Sequence, residues 1–98
     1  MTDGPTHQDF AKCVNQKCRV FYESGSVEME LTECRKAGVL GRKDGPREPF
    51  ALLFRGPKTP VLPQRIYRFD FEQLGAIEIF IVPIGRDESG MSYEAIFT

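Results

Sequence analysis

The sequence predicts a mainly β domain, an antiparallel six-strand meander that forms a small barrel or sandwich, with a short N-terminal helix. Six short segments have strand-like patterns and are mostly separated by turns that contain Gly. No helical pattern is long enough to connect two parallel strands. The 98 residues, 41% of them hydrophobic, are enough for a single domain over residues 1–98 and too few for two.

The first fifteen residues predict a tail followed by a helix. Residues 1–5 contain a Gly and a Pro, which predict a disordered tail. A short helix is predicted over residues 6–15, because Thr6 can cap its start and apolar residues follow at i, i+3 and i+4 from Phe10. Such a short helix is not stable alone, so it is expected to pack on the strands of residues 16–98.

A β-hairpin is predicted immediately after the helix. Residues 17–22 alternate in character, residues 23–26 have turn chemistry, and residues 27–33 alternate strictly between apolar and polar side chains. The apolar positions predicted to share the inner face are Cys18, Val20, Tyr22, Val27, Met29 and Leu31. A long loop follows, since residues 35–47 hold three Gly and a Pro, and the segment 36–47 is predicted to be the most mobile internal part of the chain.

Four further strands are predicted to form the folding core, over residues 50–54, 64–71, 76–84 and 93–97. In the second of them, Tyr67, Phe69 and Phe71 share one face, and Ile66, Arg68 and Asp70 share the other.

The strand over residues 76–84 is apolar on both faces. Ile79 lies on the face predicted to be buried, and Phe80 and Val82 lie on the other. Two interpretations follow. Either the helix covers Phe80, as a central strand requires, or Phe80 and Val82 belong to a self-association surface.

The cysteines predict reduced thiols in a cytoplasmic protein. Cys13, Cys18 and Cys34 are an odd number, and the first residues lack the pattern of a signal peptide. A metal site that combines His7 with the three thiols is not favoured, because structural zinc prefers two close ligand pairs. Neither a metal nor another cofactor is therefore predicted. No apolar run approaches the roughly 20 residues of a membrane helix, so no membrane contact is predicted.

Charge is divided along the chain although the total is −1. Residues 35–68 carry a net charge of +7, against −3 for residues 1–34 and −5 for residues 69–98. These charges either pair across neighbouring strands or form a basic face that binds an anionic ligand or nucleic acid. Nucleic-acid binding is the less favoured, because the aromatic residues near Arg68 are needed in the core. The basic candidates are Arg35, Lys36, Arg42, Lys43, Arg47 and Arg55.

The residues do not predict an enzyme. One His and three Cys supply few of the side chains that catalysis uses, and the carboxylates of Glu28 and Glu30 share a strand face as carboxylates on any solvated strand do. Gln64 and Tyr67 are the polar side chains that packing explains least. They are expected either to bond the backbone of the preceding loop or to face a ligand.

Several motifs in residues 50–97 form one recognisable pattern. They are Phe50–Pro57 (FALLFRGP), Leu62–Gln64 with Tyr67, Leu74–Gly75, Ile79–Gly85 (IFIVPIG) and Tyr93–Phe97 (YEAIF). This pattern resembles a family of roughly hundred-residue bacterial domains of unknown function, some encoded beside phage tail-collar-like proteins. The resemblance implies a non-catalytic accessory role in a phage-derived or surface assembly.

Taken together, the interpretation of the residues above and the family resemblance predict a protein-interaction or assembly module. Its partner is expected to be another protein or a second copy of itself in a homo-oligomer. Phe80 joins the basic residues, Gln64 and Tyr67 as a candidate binding residue. The alternative is a small barrel that binds an anionic ligand through residues 35–68.

Overall fold

The computed structural model describes residues 7–36 and 50–97, which form one helix and six strands. Their bounds are α1 His7–Ala11, β1 Lys17–Tyr22, β2 Gly25–Lys36, β3 Phe50–Gly56, β4 Arg65–Phe71, β5 Gly75–Asp87 and β6 Gly90–Phe97. The predicted tail over residues 1–5 lies outside the described residues. So does the predicted mobile segment 36–47, apart from its first residue.

The six strands close into a small barrel in which every neighbouring pair is antiparallel. The order around the barrel is β1-β2-β3-β6-β5-β4, and β4 pairs with β1 to complete the circle. Each described strand therefore pairs with two neighbours, but the two pairings do not always cover the same residues: β5 pairs with β4 over residues 75–81 and with β6 over residues 82–87. The prediction of a mainly β fold with six antiparallel strands and a short helix is confirmed, and the barrel is the form that it takes.

One connection departs from a meander. β3 and β4 follow one another along the chain but are not neighbours, because two strands separate them around the barrel in either direction. Residues 57–64, which we call the crossing segment, must therefore pass over one end of the barrel. The strands form two consecutive triplets, β1-β2-β3 and β4-β5-β6, which meet along the β3–β6 and β1–β4 pairings.

Alternation of side chains fills the barrel with one hydrophobic core. The inner faces predicted for β1, β2 and β4 are confirmed, with Tyr22 partly buried and the others buried. Ile79 is 1% exposed and Ile81 is fully buried, as predicted. Three rings meet deep in this core, where the Phe54 ring is tilted against the rings of Phe69 and Phe71, at 4.9 Å and 6.4 Å between ring centroids.

The helix closes one end of the barrel. The buried ring of Phe10 lies 5.4–5.9 Å from the rings of Phe50, Phe71 and Phe97, between centroids. The helix is shorter than predicted and ends at Ala11. Beyond Ala11 the chain continues in tight turns, in which the Cys13 N–H donates to the Phe10 carbonyl oxygen at 2.8 Å, and Asn15 then adopts a left-handed conformation (φ 74°).

The crossing segment closes the other end. Leu62 is buried, and its backbone N–H donates a hydrogen bond to the Tyr93 hydroxyl oxygen at 2.9 Å. The Tyr67 hydroxyl donates to the Pro63 carbonyl oxygen at 2.7 Å. These two bonds fix the segment to the side chains of β4 and β6.

Candidate interaction surface

Three large apolar side chains form a row on the outside of the barrel, across β4, β5 and β6. Ile66 on β4 lies opposite Phe80 on β5. On β6, Ile96 lies two residues beyond Glu94, the residue at which the β5–β6 pairing ends opposite Val82. Their exposed fractions are 59% for Ile66, 47% for Phe80 and 53% for Ile96. We call these three residues the outer apolar row.

The outer apolar row continues along β5. Val82 lies two residues beyond Phe80 on the same face and is half-buried. Ile84 is 51% exposed, at the point where the register between β5 and β6 shifts between Pro83 and Gly85. Such an irregularity bends a strand and redirects its side chains, and a Pro fits there because it has no N–H to donate to the neighbouring strand.

The structure excludes one of the two interpretations of β5. The helix packs its Phe10 ring against the end of the barrel, so the interpretation in which the helix covers Phe80 is wrong. In a barrel one face of every strand points to the core and the other points outward. Phe80 and Val82 occupy the outward face, where the alternation predicted that they would lie opposite Ile79.

Two side chains of opposite charge flank the outer apolar row. Arg68 on β4 lies opposite Glu78, and Glu94 on β6 lies opposite Val82. The guanidinium carbon of Arg68 lies 5.1 Å from the centroid of the Phe21 ring, a cation–π distance. Within the described part of the chain, neither Arg68 nor Glu94 forms an ion pair. Both charges therefore remain open to a charged group from outside the barrel.

The described basic candidates do not gather at one place. Arg35 near the end of β2 forms an ion pair with Glu33 at 3.0 Å. Arg55 is exposed on β3, where Glu30 lies opposite it. Lys36 ends β2, and its side chain lies outside the described part of the structure, as do Arg42, Lys43 and Arg47 entirely. Of the two described candidate arginines, Arg35 thus has an acidic partner on its own strand, and Arg55 has an acidic neighbour on the adjacent strand.

Gln64 and Tyr67 lie where the crossing segment enters β4. The Tyr67 ring is buried and its hydroxyl bonds the Pro63 carbonyl, so Tyr67 takes the first of its two predicted roles, bonding the loop backbone. Burial raises the pKa of the Tyr67 hydroxyl, more than the charge of Arg65 lowers it. Gln64 is exposed immediately before β4.

An open depression of about 230 Å³ lies on the other side of the barrel, between β1, β2, β3 and the β5–β6 turn. Its charged lining is mixed. The ammonium of Lys17 lies 4.0 Å from a carboxylate oxygen of Glu28, and Glu30 lies between Lys17 and Arg55 in the strand register. Because these charges balance one another, the depression does not select a ligand of either sign.

The three cysteines are free thiols with raised pKa values. Burial raises the pKa of Cys18 to about 12, and Cys13 and Glu28 add smaller contributions. Burial is also the main cause of the raised pKa values of Cys13 and Cys34. Thiols of this kind stay protonated at neutral pH and are poor nucleophiles and poor metal ligands. Among the described residues, no group of three or more His, Cys, Asp or Glu side chains could hold a metal ion.

Sequence reasoning identified Phe80 but missed the two isoleucines beside it. Ile66 had been placed on the outward face with Arg68 and Asp70, and an isoleucine between charged outward positions was the available signal. Ile96 carried no comparable signal, because alternation along β6 does not show that this strand lies next to β5 in the barrel.

Comparisons with known proteins give one match. Within residues 7–36 and 50–97, no helix is long and apolar enough to cross a membrane. No curated protein and no solved structure matches the chain. A family model described as a domain of unknown function (DUF6916) matches residues 5–97, and the chain belongs to that family.

Proposed function

We propose that this protein is a non-catalytic protein-interaction module, and that its contact surface is the outer apolar row with the side chains around it. The observation that carries the proposal is the exposure of Ile66 and Phe80 directly opposite each other, with Ile96 exposed on the next strand around the barrel. Single exposed apolar residues are ordinary, whereas a contiguous apolar patch with a polar rim is typical of a surface that binds protein.

The geometry of the barrel supports a contact through a face of the sheet. Ile66 and Phe80 lie directly opposite each other and both are exposed, so their side chains present one apolar surface on β4 and β5. Phe80 is central in the row and is the largest of its side chains, which makes it the expected anchor residue.

The thiol chemistry supports a role without catalysis and a reducing compartment. All three thiols are free, and burial raises the pKa of each. We therefore place the protein in the cytoplasm. An accessory role in a phage-derived or surface assembly, which the family resemblance implies, would use such a docking face. Anion binding by residues 35–68 stays a prediction, because residues 37–49 lie outside the described residues.

A photo-crosslinking experiment in the native host tests the proposal. A benzoylphenylalanine placed at Phe80 is expected to form covalent adducts of defined mass with protein. The matched control carries the same group at Glu28, which is exposed on β2, across the barrel from β5. Adducts at position 80 and not at position 28 support the proposal. Equal labelling at the two positions, or no adduct at position 80, overturns it.

A further inference from the structure

We infer that an extended segment of another protein adds as a strand to β5, along residues 76–80, and that this segment is apolar and carries a basic residue. The inference rests on the proposed function and deepens it, because Phe80 of the outer apolar row lies on the same stretch of β5. It is carried by the pairing of β5, which has two neighbouring strands but never pairs with both at the same residues.

The first half of β5 is paired on one side only. Residues 75–81 pair with β4. The pairing with β6 begins at Val82 and runs away from these residues to Asp87. On the side away from β4, residues 76–80 therefore have no partner in the ladders of the described strands, and we call this stretch the free edge of β5. An unpaired edge is the structure to which a peptide strand can add.

A proline shows which backbone groups of β5 point towards β6. Pro83 lies opposite Tyr93 and has no N–H, so these two residues cannot exchange two hydrogen bonds. Hydrogen-bonded and non-hydrogen-bonded pairs alternate along an antiparallel ladder, so the neighbouring pair, Val82 and Glu94, is the hydrogen-bonded one. Val82 therefore directs its N–H and C=O groups at β6.

Every second residue before Val82 directs its backbone groups to the same side. These residues are Phe80, Glu78 and Ala76, and all three are exposed. The residues between them direct their N–H and C=O groups at β4 instead. The free edge thus presents alternating donors and acceptors to a strand that lies beside it.

The side chains beside the free edge are apolar on both faces of the sheet. On the outer face, Phe80 and Ile96 are each about half exposed. On the inner face, Ile77 and Phe97 pack on the core but are only partly buried, whereas Ile79 is 1% exposed. A strand added here covers apolar side chains on both faces, so we expect the added segment to be apolar at successive positions.

Two carboxylates determine the charge of the segment. Glu78 is exposed at the middle of the free edge, and Glu94 is half-buried where the β5–β6 pairing ends. Among the described side chains neither carboxylate forms an ion pair, and the Arg68 guanidinium opposite Glu78 lies over the Phe21 ring instead. A Lys or Arg opposite Glu78 on the added strand makes a favourable cross-strand pair. A second copy paired through the same edge and centred on it would place two Glu78 carboxylates opposite each other, so we assign the segment to a different protein.

NMR titration of the isotope-labelled full chain with a capped synthetic peptide, Thr-Val-Val-Arg-Val-Val-Thr, is the test. With its Arg opposite Glu78, the antiparallel peptide places Val opposite Phe80 and Ala76. The N–H groups of its second, fourth and sixth residues then face the free edge. The amide resonances of Phe80 and Glu78 are expected to shift as the peptide binds.

N-methylation of the peptide tests the backbone hydrogen bonds and leaves the side chains unchanged. Methyl groups on the second, fourth and sixth nitrogens remove the donors that face the free edge and are expected to weaken binding about tenfold or more. Methyl groups on the third and fifth nitrogens, which face away from the free edge, are the matched control and are expected to change binding little.

A charge exchange tests the position of the basic residue. Glu78→Lys is expected to weaken binding of the Arg peptide and to strengthen binding of the same peptide with Glu in place of Arg. Glu23→Lys, an exposed charge reversal in the turn between β1 and β2, is the matched control. Circular dichroism establishes that each variant is folded before its binding is compared.

The outcomes separate this inference from the proposed function. Equal weakening by the two sets of methyl groups, or no shift of the Phe80 and Glu78 amides at any peptide concentration, overturns strand addition. If position 80 still crosslinks to protein in the host, the proposed surface stands as a contact through side chains. Binding of the Arg peptide that Glu78→Lys leaves unchanged overturns the assignment of a basic segment. Edge binding of the peptide without any host adduct at position 80 overturns the proposed function alone.

Discussion

Two isoleucines in this barrel, Ile79 and Ile66, occupy opposite environments in adjacent strands. Ile79 is 1% exposed inside the barrel and Ile66 is 59% exposed on its surface. Ile79→Ala is expected to lower the free energy of unfolding by about 2–5 kcal/mol, through lost burial and a cavity. Ile66→Ala is the matched control and is expected to change it by less than about 0.5 kcal/mol. Urea titration measures both, and equal effects would contradict the assignment of the inner and outer faces.

The Cys18 thiol gives the stability of the barrel a dependence on alkaline pH. The unfolded chain loses this proton near pH 9.0, whereas burial raises the folded pKa to about 12. The stabilisation is therefore fully present below pH 9 and is lost as the pH rises from 9 towards 12. The raised pKa values of Tyr67 and Tyr93 act in the same direction.

Comparison with Cys18→Ala isolates the contribution of this thiol. The variant is expected to lose less stability than the wild type between pH 8 and pH 10.5, whatever its stability at pH 8. Chemical denaturation at each pH gives the two slopes. Parallel slopes would show that the Cys18 thiol ionises alike in the folded and unfolded chains.

At the scale of elements, the helix closes one end of the barrel through a single side chain, the ring of Phe10. Phe10→Ala removes the contacts with Phe50, Phe71 and Phe97 and is expected to cost about 3–5 kcal/mol. Lys12→Ala, at an exposed position just after the helix, is the control and is expected to be nearly neutral. Thermal unfolding compares them. A small effect of Phe10→Ala would mean that the strands close this end of the core without the helix.

The crossing segment at the opposite end depends on one buried hydrogen bond. Tyr93→Phe removes the oxygen that accepts the buried Leu62 N–H and is expected to cost about 1–3 kcal/mol. Tyr67→Phe removes the bond to the carbonyl of Pro63, an exposed residue that water can reach, and is expected to cost less. Amide exchange at Leu62 should accelerate in the first variant. Unchanged exchange there would indicate that another group holds the segment.

The elements themselves were largely predictable from the sequence because their signals are local. Alternation and turn residues identified all six strands, and β1 has the predicted bounds. β5 extends to Asp87, past the predicted end at residue 84, because the chain continues pairing beyond the irregularity at Pro83. The helix was overestimated because an apolar stripe does not distinguish an α-helix from the tight turns that follow Ala11.

At the scale of the whole molecule, the strand order was not predictable. The pairings β3–β6 and β1–β4 join strands far apart in sequence, and alternation specifies which face of a strand is buried without specifying its neighbour. The candidate surface could not be predicted for the same reason, since it depends on which strands are neighbours. Phe80 was identified from its own strand, whereas the row that contains it exists only because three strands are brought side by side.

The connection over the end of the barrel divides the chain into two interlocking halves. A cut near Lys58, an exposed position in the crossing segment, would leave β1-β2-β3 on one fragment and β4-β5-β6 on the other. Each fragment keeps its local hairpin pairings but has two open edges, and each is the complement of the other along both. We expect each fragment alone to aggregate or stay unfolded, and the two together to regain the β-sheet circular dichroism of the intact chain. The same division implies that the two triplets form early in folding and that the two long-range pairings form last, so that joining the halves limits the folding rate.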